Sequence, residues 1–121
     1  MSTKGILIAT AAARQDDAKR QRLLARVEPF ASLDLPDRER VASTMRRLDF
    51  GDGETILRGD APDDGTYLVA SGEVRVEQET SRGSPEITTL GEGRLFSAAS
   101  SSDRAAVRWS AGSEVTVYRI D

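Results

Sequence analysis

The spacing of apolar positions changes once along the chain, near residue 50. Before that point it is helical: Leu23, Leu24 and Val27 recur in an alanine-, arginine- and glutamine-rich stretch, which predicts a helix over 11–27. A second helix is predicted from Asp34-Leu-Pro-Asp onward, with Asp34 as cap, Pro36 in the first turn, and Asp37 and Glu39 at the positive helix end. Val41, Met45 and Leu48 fall at i, i+4 and i+7, one apolar stripe that carries this helix toward residue 49. Phe30 and Leu33 lie between the helices, placed to plug an apolar surface, while Arg38, Glu39, Arg40 and Arg46 read as a solvated face.

After residue 50 the period drops toward two. Val74 and Val76 alternate with Arg75 and Glu77, so one face is buried and the other wet. Strands are predicted at Glu54–Arg58, Thr66–Ala70, around Val74–Glu77, at Ile87–Leu90, Ala105–Trp109 and Glu114–Ile120. Nine of the ten glycines fall in this half, where they punctuate short strands with tight turns. The expected fold class is α+β, mainly β: a closed jelly-roll-like β-roll with flanking N-terminal helices, divided into a helical segment 1–28 and a roll 29–121.

Composition narrows the chemistry. The 121 residues contain neither cysteine nor histidine, which removes thiolate and imidazole metal ligands, disulfides, and the usual general base near neutral pH. No metal or cofactor is therefore expected, and a cupin-like metalloenzyme ranks low. A net charge of −3, with acidic residues interleaved among the arginines, argues against a nucleic acid polymer as partner. No apolar run reaches membrane-spanning length, so no membrane contact is expected, and the absence of cysteine fits a cytoplasmic location.

One segment combines residue types suited to an anion. Phe96-Ser-Ala-Ala-Ser-Ser-Ser-Asp-Arg104 offers small residues whose backbone N–H groups can approach an oxyanion, serine hydroxyls that can donate, and a closing guanidinium. Four pieces in order then resemble cyclic nucleotide-binding domains. They are Phe30-Ala-Ser-Leu33 with Gly53-Glu-Thr-Ile-Leu-Arg-Gly59-Asp60, Tyr67-Leu-Val-Ala-Ser-Gly72-Glu-Val74, Leu90-Gly-Glu-Gly93-Arg-Leu-Phe96, and Arg104-Ala-Ala-Val107. The resemblance covers about residues 27 to 121. It implies a regulatory sensor rather than an enzyme, binding a cyclic mononucleotide through a phosphate cassette. Arg104 would hold the cyclic phosphate, with Phe96, Ser97, Ala98, Ala99, Ser100 and Ala105 forming the cassette around it. Thr88, by its place in the family pattern, would face the base. Arg108 shares Arg104's face if the strand alternates regularly from 104, which makes it a candidate base contact and leaves Trp109 on the opposite side, better read as core.

The family pattern is broken at one informative place. Its phenylalanine is usually followed by glycine and then by a glutamate that grips the ribose hydroxyl; here Ser97 and Ala98 stand there. The stretch before Arg104 is also about three residues shorter than usual, which clips the cassette helix to a turn. Asp103 is no replacement, since it would sit beside the phosphate and repel it. These departures favour a non-standard ligand such as cyclic UMP or cyclic CMP, as in bacterial antiphage Pycsar effectors, whose sensor is fused to a TIR or transmembrane module. The chain stops where the family's last strand ends, which suggests an N-terminal sensor with a fused C-terminal effector. Ligand binding would shift the helices at 11–49, and apolar Ile6, Leu7 and Ile8 suggest a homodimer through the N-terminal helix. Two other readings stand beside this: an ordinary cAMP or cGMP sensor, and a degenerate, ligand-free module for protein contacts.

Overall fold

The computed structural model describes residues 3–62, 65–79, 83, 85–98 and 107–120. Helix α1 spans Thr3–Leu24, a 3-10 turn Phe30–Ser32, and α2 Leu35–Thr44. Eight strands follow: β1 Arg46–Phe50, β2 Thr55–Arg58, β3 Thr66–Ser71, β4 Val74–Gln78, β5 Glu86–Leu90, β6 Leu95–Phe96, β7 Val107–Ala111 and β8 Val115–Ile120. The chain divides into two compact units, Met1–Ser43 and Thr44–Asp121. The division between them falls at the last residue of α2.

In the helical unit, Leu23 and Leu24 of α1 and Ala42 of α2 are buried. Arg20 ties the two helices together: its Nε donates to Asp16 one turn earlier at 2.7 Å, and its Nη1 donates to the Ala42 carbonyl at 3.1 Å. Helix α2 opens as its sequence dictates, with the Asp34 carbonyl accepting the Arg38 N–H at 3.0 Å and Pro36 in the first turn, where no N–H is missed. It ends earlier than predicted. Ser43 turns its hydroxyl back to the Arg40 carbonyl at 2.8 Å, and β-branched Thr44 is the last helical residue. Leu48 belongs instead to β1, where it alternates with Phe50 on one face while Arg47 and Asp49 take the other.

The roll is two antiparallel four-stranded sheets, ordered β1-β8-β3-β6 and β2-β7-β4-β5. The inward positions of both supply its core: Leu57, Tyr67, Val69, Val74, Phe96, Ala98, Val107, Trp109, Ala111, Val115 and Val117. Leu68, Ala70 and Tyr118 are also buried but lie on the outward face of the first sheet, where Leu68 pairs with Tyr118. The β3–β4 turn depends on Gly72 at φ +82°, where a Cβ would run into the Glu114 carbonyl oxygen. Beside it the Gly112 N–H donates to the Glu73 carbonyl at 2.8 Å, locking the β7–β8 turn against the β3–β4 turn.

Candidate functional site

β6 and β7 bracket the serine-rich segment. Because β6 pairs with the opening residues of β3, through Tyr67–Phe96 and Leu68–Leu95, it ends toward the side of the roll opposite the Gly72 and Gly112 turns. Two registered rows cross the sheets at this end. In the first sheet Arg46, Arg119, Tyr67 and Phe96 stand side by side; in the second, Leu57, Trp109, Val76 and Thr88 do. The rows meet in an aromatic stack. The Tyr67 and Phe96 ring centroids are 5.1 Å apart at 12°, and those of Phe96 and Trp109 are 5.8 Å apart at 16°.

The expected site residues distribute unevenly over this frame. Phe96 is buried in the stack, Ala98 is fully buried in the core, and Ser97 between them is half-buried. Thr88 pairs with Val76 on the inward face of the second sheet and is exposed. Arg104, Ala99, Ser100 and Ala105 lie outside the described residues. Arg108 is corrected: it points outward, donating to Glu77 at 3.3 Å, with Arg75 on the same carboxylate at 3.8 Å. Burying Val107 and Trp109 forces residue 108 to the wet face. Trp109 is core, as read.

Two contributors escaped the sequence reading. Tyr67 was legible as a strand residue, yet its place in the stack required the β3–β6 pairing. Arg119 lies near the chain's end and returns through the β3–β8 register to set its guanidinium 6.0 Å from the Tyr67 ring centroid. It packs so closely on Gly65 that a Cβ there would come within 2.8 Å of the guanidinium. At the other end of the roll a shallow cleft of about 540 Å³ is lined by Arg47, Asp49, Gly51, Ser71, Glu114 and Thr116. There Asp49 accepts from Arg47 at 3.2 Å and from the Thr116 hydroxyl at 2.6 Å. Among the described residues no group of His, Cys, Asp or Glu is placed to hold a metal ion, and no helix is long and apolar enough to cross a membrane.

Residues 47–121, from the first strand onward, match the family model described as the cyclic nucleotide-binding domain. The chain belongs to that family. The regulatory domain of Toxoplasma gondii PKA, solved with cAMP, superposes with a TM-score of 0.76 at 21% identity, covering 92% of this chain and 44% of that one. The regulatory subunit of a cAMP-independent protein kinase A from Trypanosoma cruzi, bound to guanosine, gives 0.73 at 19% identity over 89% and 40% of the two chains. The N-terminal domain of a Streptomyces coelicolor transcriptional regulator gives 0.70 at 21%, covering 81% and 72%. The cyclic nucleotide-binding chain described here thus spans well under half of the kinase regulatory structures it resembles. No curated protein matches it.

Proposed function

We infer that this cyclic nucleotide-binding domain holds a cyclic mononucleotide, its phosphate against the serine-rich cassette and Arg104, and passes occupancy to a fused effector module. The observation that carries the reading is the family match together with the residues that flank the cassette in sequence. Buried Phe96 and Ala98 lead into it, buried Val107 and Trp109 lead out, and the intervening residues are small, hydroxylated and closed by an arginine. Small residues admit backbone N–H groups to an anion, and a guanidinium adds a charged, planar pair of donors. Thr88, inward-facing on the second sheet, is the base contact in this reading. Arg108 takes no part.

The ligand we favour is a pyrimidine cyclic nucleotide, cyclic UMP or cyclic CMP, read in antiphage defence by a cytoplasmic, dimeric effector of the Pycsar TIR type. The support is the residue at the family's ribose position: Ala98 has no carboxylate, and it is spent on the core. The same observation favours a second reading, a module that has lost its ligand and serves protein contacts. Calorimetric titration with cAMP, cGMP, cUMP and cCMP separates them. Binding of one nucleotide, weakened roughly tenfold to a hundredfold by Arg104→Ala, is the expected result, since a charge-assisted hydrogen bond contributes about 1.5–3 kcal/mol. No heat with any of the four turns the assignment to protein contacts. Undiminished binding by Arg104→Ala removes the phosphate from the cassette.

A further inference from the structure

Phe96 sits where a weakly paired strand faces a firmly paired one. Among the described residues β6, which delivers the chain to the cassette, is two residues long and pairs with β3 alone. Two registered pairs do little to fix the position of a strand end. β7, which takes the chain away, is paired on both sides, with Trp109 registered between Leu57 and Val76. The Phe96 ring spans the difference, stacked on Tyr67 of its own sheet and on Trp109 of the other, with all three side chains about 95% buried. The loosely paired side of the cassette is thereby fastened to the firmly paired side by ring contact, one residue before Ser97.

We propose that the Tyr67–Phe96–Trp109 stack is a clasp that fixes the separation of the cassette's two ends, which makes Phe96 a positioning residue for the ligand. The proposal rests on the cassette being the phosphate site. An oxyanion needs its donors converging at hydrogen-bond distance, so donors from the leading and trailing sides serve it only while their spacing is held in advance. A residue that merely fills the core would affect stability and leave that spacing alone. Val115, equally buried in the same core but at the far end beside the Gly72 turn, supplies the comparison.

The test compares Phe96→Leu and Trp109→Leu with Val115→Ala, and with Trp109→Phe, which keeps an aromatic ring in the stack. Affinity for whichever of cAMP, cGMP, cUMP and cCMP the natural sequence binds is expected to fall about tenfold or more in both leucine variants. Trp109→Phe and Val115→Ala are expected to stay within about twofold of the natural sequence, even where the urea midpoint of Val115→Ala drops as far as theirs. Leucine variants that lose no more affinity than Val115→Ala overturn the clasp and leave the cassette assignment standing. If the natural sequence binds none of the four, the cassette assignment fails instead. The clasp is then decided on ligand-free protein by amide hydrogen exchange at Ser97 and Val107. Acceleration in Phe96→Leu about tenfold beyond that in Val115→Ala upholds it, and equal acceleration overturns it.

Discussion

Gly72 and Arg108 show how differently single positions constrain this chain. At Gly72 the backbone is left-handed, at φ +82°, and the space a side chain would take is filled by the Glu114 carbonyl. Gly72→Ala is therefore expected to cost about 1–3 kcal/mol or more, read as a lower urea midpoint with an unchanged slope. Arg108 is half-exposed and shares Glu77 with Arg75, so Arg108→Ala should stay within about 1 kcal/mol of the natural stability and leave nucleotide affinity unchanged. Trp109→Ala empties the crossing point of both sheets, and a loss of about 3–5 kcal/mol is expected in the same measurement. Residue identity announced the glycine turn and the buried tryptophan. It did not announce which way Arg108 faces, because that is set by the burial of Val107 and Trp109 on either side of it.

Among the elements, six of the eight strands were legible from alternation and glycine punctuation. The two that were not are instructive. In β1, Leu48 completes a helical stripe with Val41 and Met45, yet with Phe50 it also satisfies a period of two. Pairing with β8 decided between them, and that pairing involves residues almost seventy positions away. The choice is testable. Alanine is the best helix former and a poor strand former, so Leu48→Ala should destabilise by about 1–2 kcal/mol while β-branched Leu48→Val costs less; a helical residue 48 would reverse that order. The strand β6 is only two residues long and leaves no periodic trace in the sequence. The candidate site divides the same way. The small and hydroxylated residues that follow Phe96 were readable as a motif, whereas the Tyr67–Phe96–Trp109 stack depends on a pairing no local pattern encodes.

At the scale of the whole molecule, the absence of histidine and cysteine leaves no side chain with an ordinary pKa between those of glutamate and tyrosine. Folding stability then changes with pH only where the folded and unfolded chains bind different numbers of protons, so urea midpoints from about pH 6 to 8 should be flat. The topology has a different consequence at the rim of the second sheet. Among the described residues β5 has β4 as its sole strand partner, and Ile87 on its wet face is half exposed. An open strand edge beside an apolar side chain is a template for another chain's backbone, so crowding should drive slow self-association through β5 into intermolecular sheet. Ile87→Lys should suppress that turbidity without moving the urea midpoint by more than about 0.5 kcal/mol. The edge of the sheet then sets how concentrated this protein can be kept.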